Sequence, residues 1–156
     1  PRSTLFPYTT LFRSFDVSHM CQVRLTAKPG HDAARALEAR GDYAGAVDAW
    51  ERVAIAQPGN PWPLIRAGEL YLRTLNDPSL ALDRFRGARD IPGITREHHV
   101  YVSQKIIDLY LGPLGDQGRA LVELRRFVEV HAGTREGTLA REVLARLKTD
   151  RDASGG

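Results

Sequence analysis

One pattern occurs three times along the chain and constrains its fold more than any other feature. An Asp is followed four residues later by an Ala–apolar pair, and then by large apolar residues at helical spacing. The aligned alanines, Ala46, Ala81 and Ala120, are 35 and 39 residues apart. A tandem repeat with a period of about 20 to 50 residues is typical of stacked helical or solenoid folds.

The second and third copies are similar enough to align without a gap. AGELYLRTLNDPSLALDRF matches IIDLYLGPLGDQGRALVEL over nineteen residues. A pair of helices cannot bury its apolar face alone, and about three stacked units are needed for stability. The 156 residues provide about three units, so the sequence predicts an all-α solenoid.

Turn signals divide the chain into predicted helices. Asp42, Asp77 and Asp116 occupy N-cap positions, where a carboxylate accepts hydrogen bonds from the unpaired amides of the first turn. Pro78 follows at the first helical position of its helix, and Gly41 ends the first helix. The predicted helices cover residues 31–41, 43–57, 61–75, 78–90, 95–111, 116–131 and 134–148.

The second helix of each pair carries the main predicted packing positions. Its Ala permits close approach of the partner helix, and the residue four positions later, Trp50, Phe85 or Leu124, fills the space beside it. The residues predicted to face inward on the other helices are Ala33, Ala34, Leu37, Leu64, Ala67, Gly68, Tyr71, Val100, Ser103, Ile106, Ile107, Tyr110, Leu139, Val143, Leu144 and Leu147.

These residues resemble the tetratricopeptide repeat (TPR) family over residues 31–148. The matching residues in the second copy are Ala67, Gly68, Tyr71, Ala81, Phe85 and Ala88, and those in the first are Gly41, Tyr43, Ala46, Trp50 and Pro58. Ile107 and Ala132 depart from the family's Gly and Pro. The resemblance implies about three antiparallel helix pairs in a superhelix, plus a C-terminal capping helix, with the first helices lining a concave face.

The two ends of the chain do not continue the pattern. Residues 4–14 resemble the translation of a common sequencing adapter, so we expect residues 1–14 to be a disordered artefact and the true N-terminus to be missing. Pro7 to Thr10 interrupts the only apolar stretch there, which argues against a signal peptide. Residues 15–30 fit either a strand or a truncated helix. Residues 149–156 are polar, and we expect a disordered tail.

Composition excludes several classes of function. The formal charge of +3 falls to +1 without residues 1–14, which argues against nucleic acid as a partner. No apolar run reaches the roughly 20 residues of a membrane span. The single Cys21 excludes an internal disulfide. Arg far outnumbers Lys, which favours a bacterial source, either cytoplasmic or envelope-associated; the compartment itself stays undetermined.

No catalytic, cofactor or metal site emerges from the motifs. His98 and His99 are adjacent on a helix and point about 100° apart, so they cannot both bind one metal ion. Gly112, Gly115 and Gly118 follow a helix and not a strand, so a helix–helix turn is favoured over a phosphate loop. The arginines of the fourth and sixth helices alternate with acids and are interpreted as a solvated face.

The sequence therefore predicts a non-enzymatic module that binds a peptide or protein segment on its concave face. The alternative is the C-terminal accessory part of a larger bacterial enzyme or envelope protein, and a third option is self-association. By the family resemblance, the residues that line the binding face are His31, Arg35, Glu38, Trp62, Ile65, Arg66, Glu69, Arg73, Tyr101, Gln104, Lys105 and Asp108.

Overall fold

Helices make up the regular secondary structure of the part of the chain that the structure describes. The computed structural model describes residues 30–154, and this part contains seven helices and no strand. The sequence expectations for residues 1–29 and for the last two glycines lie outside the described residues. The helices are α1 (His31–Ala39), α2 (Tyr43–Ala56), α3 (Trp62–Arg73), α4 (Pro78–Arg89), α5 (Arg96–Leu111), α6 (Gln117–Val130) and α7 (Arg135–Ser154).

The described residues form two compact units, which divide within α5 between Lys105 and Ile106. In the first unit, α1 packs against α2, α2 against α3, and α3 against α4. In the second unit, α6 packs against α7. The predicted all-α class is confirmed, with neighbouring helices in sequence packed on each other as in a solenoid.

The three predicted Asp caps are confirmed. Asp42, Asp77 and Asp116 each accept a hydrogen bond through Oδ1 from the backbone N–H three residues later, at 3.0, 2.9 and 2.9 Å respectively. Each cap satisfies one of the amides that the first helical turn leaves unpaired. The beginnings of α2, α4 and α6 are thus fixed by the same local interaction.

Two of the connections between helices share one hydrogen-bond pattern. Between α3 and α4, the amides of Leu75 and Asp77 donate to carbonyl oxygens five and six residues earlier, at 3.0 and 2.8 Å. The connection between α5 and α6 repeats both bonds, 39 residues later, at 3.0 and 2.8 Å. Asn76 has φ 53° and its counterpart Gly115 has φ 62°. The gapless sequence match therefore corresponds to a repeated turn geometry.

The predicted packing positions of the second helices are buried. The residues with no exposed surface include Ala46, Trp50, Ala81, Phe85, Ala120 and Leu124. Gly68 on α3 lies so near α4 that an added Cβ would be 3.1 Å from the Phe85 ring. A side chain at this position would therefore require the Phe85 ring to move by a few tenths of an ångström.

The size of the residue on the first helix varies with the size of its partner on the second. Gly68 faces Phe85, whereas the third copy has Ile107 and Leu124 at the equivalent positions, both buried. The third copy thus has two aliphatic side chains where the second copy has a glycine and an aromatic ring. Leu124 is smaller than Phe85 where Ile107 is larger than Gly68, so the two copies differ in the direction expected for size compensation.

Three local expectations need correction. Ala33 is exposed while Ala34 is buried, because neighbouring helical positions point about 100° apart and only one of them can face α2. Helix α3 begins at Trp62 and not at the predicted Pro61, and the N–H of Trp62 donates to Asn60 Oδ1 at 3.1 Å. Helix α7 continues to Ser154, beyond the predicted end at residue 148, because no Gly or Pro interrupts it before Gly155.

The caps give a first prediction. Asp77→Ala should lower the free energy of unfolding by about 1 kcal/mol, because the Leu80 amide loses its acceptor. Asp83→Ala, at an exposed position in the same helix, is the control and should change stability by less than about 0.5 kcal/mol. Urea denaturation followed by circular dichroism measures both. Equal losses for the two variants would contradict the role of the cap.

The size exchange gives a second prediction. Gly68→Ile alone should cost about 1–3 kcal/mol through overpacking against Phe85. The Gly68→Ile/Phe85→Leu variant carries the two residues of the third copy. Its loss of unfolding free energy should be smaller than the sum of the losses of the two single variants by at least about 0.5 kcal/mol. Gly87→Ile with Phe85→Leu is the control, since Gly87 is exposed on α4. If the stability losses of Gly68→Ile and Phe85→Leu are strictly additive, the two residues do not compensate for each other in size.

Candidate functional site

A connected row of polar side chains joins the first helices of the first unit. Arg66 of α3 bonds through Nη2 to Glu38 Oε2 of α1 at 2.5 Å, and through Nη1 to Glu69 Oε2 at 2.6 Å. Glu69 then accepts a hydrogen bond through Oε1 from the Tyr101 hydroxyl of α5. Four residues predicted to line the binding face are therefore in direct contact, and we call Glu38, Arg66, Glu69 and Tyr101 the polar row.

The polar row continues into the core through Trp50, which the sequence predicts only as a packing residue. The indole Nε1 of Trp50 donates to Glu38 Oε1 at 2.6 Å, although the Trp50 side chain is fully buried. A buried Trp usually finds an acceptor for its N–H, so the predicted burial of Trp50 was the sequence signal that indicates such a contact. All four carboxylate oxygens of Glu38 and Glu69 thus accept hydrogen bonds, so the row is fixed in position.

The surroundings shift the ionisation of two members of the row. Burial lowers the pKa of the Arg66 guanidinium, but the carboxylates of Glu69 and Glu38 outweigh burial and leave it raised. Burial, followed by the charge of Glu69, raises the pKa of the Tyr101 phenol well above its usual range. Arg66 therefore stays charged and Tyr101 stays a hydrogen-bond donor at any physiological pH.

Three further cations were predicted for the same face. Lys105 Nζ lies 5.4 Å from the centroid of the Tyr101 ring, at cation–π distance. Arg73 is exposed, and its charge opposes the rise in the Tyr101 pKa. Arg35 is half-buried on α1. Within residues 30–154, none of these three forms an ion pair, whereas both carboxylates of the row are engaged.

Other predicted residues serve helix packing. His31 is 7% exposed and meets the Trp50 ring edge-on, with ring centroids 5.1 Å apart. Ile65 and Gln104 are also buried. The Nε2 atoms of His31 and Gln104 are buried without a hydrogen-bond partner in the described part of the chain. These three side chains cannot contact a ligand unless the helices rearrange.

Trp62 and Asp108 complete the predicted set. Trp62 is partly buried and packs against the core cluster that includes Ala34 and Ala67. Asp108 is half-buried in the part of α5 that belongs to the second unit. The predicted residues with accessible surface in the first unit are therefore Arg35, Glu38, Trp62, Arg66, Glu69, Arg73 and Lys105.

A second polar cluster lies on α2, α3 and α4 and was not predicted. Glu51 Oε1 accepts hydrogen bonds from Arg84 Nε at 2.6 Å and from the Tyr71 hydroxyl at 3.2 Å. The Arg84 guanidinium also lies 5.7 Å from the centroid of the Tyr71 ring. Burial and the Glu51 charge raise the pKa of Tyr71. Glu51 and Arg84 are 33 residues apart, so no local pattern marks them as partners.

The motifs examined for other chemistry have local structural roles. His98 Nδ1 lies 2.9 Å from Thr95 Oγ1 at the start of α5, and burial lowers the His98 pKa. Arg119 pairs with Asp116 at 3.3 Å. Among the residues that the structure describes, no group of three His, Cys, Asp or Glu side chains is arranged to hold a metal ion. No helix within that range is long and apolar enough to cross a membrane.

The fold and the polar row define an all-α protein of consecutively packed helices with a pre-assembled polar surface on its first helices. Comparison with known proteins adds no further assignment: no protein-family model matches the chain, and no curated protein sequence matches it.

The raised pKa of Tyr101 gives a third prediction. An unfolded Tyr loses its proton near pH 10, whereas Tyr101 keeps its proton in the folded chain, so stability should fall as pH rises above about 10. Tyr101→Phe should reduce this fall in the free energy of unfolding between about pH 9 and about pH 11.

The matched control is Tyr43→Phe, at an exposed position of α2, which leaves the Glu69 contact intact. Urea denaturation at each pH measures the change. If Tyr101→Phe and Tyr43→Phe lose stability with pH as steeply as each other, the buried Tyr101–Glu69 contact does not produce the pH dependence.

Proposed function

We propose that this chain is a non-enzymatic protein–protein interaction module of the TPR type, and that the first helices bind an extended segment of another protein. The repeated turns and caps support the TPR-like assignment, because they reproduce one helix-pair unit along the chain. The observation that carries the binding proposal is the polar row, which crosses α1, α3 and α5 in one continuous set of contacts.

The row suits recognition because its side chains are already ordered. Arg66 is held by two carboxylates, and Glu69 is held from the other side by Tyr101. Ordering a flexible side chain on binding costs about 0.5–1.5 kcal/mol, and this cost does not arise for groups fixed in the free protein. A ligand therefore meets a rigid polar surface with few adjustments to make.

The groups beside the row indicate what the ligand contacts. Arg35, Arg73 and Lys105 have no ion-pair partner among residues 30–154, so they are available to acceptors on a partner. Trp62, one helical turn before Arg66 on α3, presents partly exposed aromatic surface. Arg and Trp are among the residues that contribute most to protein interfaces. The proposed ligand is therefore a segment with hydrogen-bond acceptors and at least one apolar side chain.

The non-enzymatic part of the proposal is supported by the state of the row. Its carboxylates already accept hydrogen bonds from Trp50, Arg66 and Tyr101, and these contacts occupy the atoms that a general base would need free. The arrangement is suited to keeping the side chains of this surface in fixed positions.

Charge reversal tests the proposed face. Peptides selected from a random displayed library against the full chain should bind the Arg35→Glu/Arg73→Glu variant at least about tenfold more weakly, because two unpaired cations become anions. Arg66 is left unchanged, since its reversal would leave Glu38 and Glu69 without a partner and disturb the fold. Isothermal titration calorimetry measures the affinities.

The control is Arg52→Glu/Arg125→Glu, which reverses two exposed arginines on α2 and α6. This variant should bind the selected peptides as tightly as the unmodified chain. Equal affinities for the two double variants would show that the first helices do not form the binding face.

A further inference from the structure

One side of α3 presents an engaged ion pair at its middle and accessible groups at its two ends. Four residues at intervals of four, three and four positions share this face: Trp62, Arg66, Glu69 and Arg73. Both terminal nitrogens of Arg66 and both carboxylate oxygens of Glu69 already form hydrogen bonds. A ligand that lies along this face is therefore selected at its two ends, by Trp62 and by Arg73.

The C-terminal end of the face presents positive charge from two helices. Arg73 is exposed, and it lies near enough to Tyr101 that its charge opposes the rise that burial and Glu69 cause in the pKa of that phenol. From α5, Lys105 Nζ lies 5.4 Å from the centroid of the Tyr101 ring. Neither cation forms an ion pair within residues 30–154, and the carboxylate of Glu69 is already engaged.

The N-terminal end of the same face presents aromatic surface. Trp62 is the first residue of α3, and its side chain is partly exposed while it packs against the core cluster of the first unit. An indole fixed in this way offers apolar area to a ligand with little further loss of conformational freedom. The two ends of the face thus differ in chemistry, one apolar and one cationic.

The separation of the two ends sets the spacing of the ligand groups that contact them. Trp62 and Arg73 are eleven residues apart on one helix. Eleven helical residues rise about 17 Å, and an extended chain advances about 3.3 Å per residue. An extended ligand that lies along α3 therefore covers the distance in about five residues, whereas a helical ligand needs about eleven.

We propose that the partner segment is extended and acidic. It places an aromatic or large aliphatic side chain on Trp62 and, about five residues away, an Asp or Glu side chain on Arg73 and Lys105. This inference rests on the proposed function and adds to it the chemistry and the spacing of the ligand.

Charge complementarity favours an acidic side chain over the other occupants of such a face. Two unpaired cations near one tyrosine repel each other, and an anion offsets that repulsion, which a neutral acceptor does only weakly. A peptide is favoured over nucleic acid because a phosphate backbone needs a continuous basic stripe. Here the cations are followed by the neutral Arg66–Glu69 pair and then by Trp62.

Selection from a displayed library of random peptides tests the chemistry and the spacing together. Peptides of about twelve residues accommodate both the extended and the helical spacing. Against the full chain, sequencing should show enrichment of Asp or Glu about five positions from an aromatic or large aliphatic residue, in either order. The Arg73→Gln/Lys105→Gln variant should lose the enrichment of acids and keep that of apolar residues. Trp62→Ala should do the opposite.

A thermodynamic cycle on the most enriched peptide measures the contact directly. Replacing its acidic residue by the matching amide should weaken binding to the unmodified chain about tenfold, and should have little effect on binding to Arg73→Gln/Lys105→Gln. Both side chains lack an ion pair, so the variant should keep the circular dichroism spectrum and the unfolding midpoint of the unmodified chain. Arg52→Gln/Arg125→Gln, at exposed positions on α2 and α6, is the matched control and should behave like the unmodified chain.

The outcomes separate this inference from the proposed function. Enriched peptides that shift the Trp62 indole signal but show no preference for acids would overturn the acidic ligand and leave the interaction module standing. A preferred spacing of about eleven residues would overturn the extended form. Acid enrichment that persists against Arg73→Gln/Lys105→Gln would overturn the assigned cations. Failure to enrich any peptide would overturn the proposed function, and this inference with it.

Discussion

Close approach of neighbouring helices is the constraint on which the rest of this structure depends. Neighbouring helices pack closely because small residues lie at several of their contact points, and Gly68 against Phe85 shows how little space is left. Ala46, Ala81 and Ala120 repeat the same requirement and have no exposed surface. Because helix pairs do not bury their apolar faces alone, this packing has to recur along the chain. The caps and turns then set where each helix begins.

Close packing also explains why the polar contacts are so complete. Once the helices are packed, Glu38, Arg66 and Glu69 lose much of their contact with water, and charged groups in that position are stable only when they are paired. Trp50 and Tyr101 supply the remaining donors. The same interactions that stabilise the first helices thus produce an ordered surface. Arg84 is held in the same way, by Glu51 and by the Tyr71 ring.

The sequence predicted the scaffold well because its signals are local. Asp caps, the glycine at residue 41 and the spacing of alanines each act within one or two turns of helix, and the structure confirms the helices they define. The site was predicted less completely. Which side chains meet depends on how helices pack: His31 and Gln104 share a helix face with accessible residues but are buried. The pairing of Glu51 with Arg84 joins residues 33 positions apart and follows from tertiary packing alone.

The central claim is that a partner binds to the first helices, and the chain carries a direct reporter of that event. It contains two tryptophans, Trp50 buried in the core and Trp62 partly exposed beside the polar row. Their indole N–H groups give two signals in a ¹H–¹⁵N spectrum, which Trp50→Phe would assign. When a selected peptide is added to saturation, the Trp62 signal should shift or broaden. An unchanged Trp62 signal at saturation, with shifts confined to amides of α2, α4 and α6, would contradict the claim.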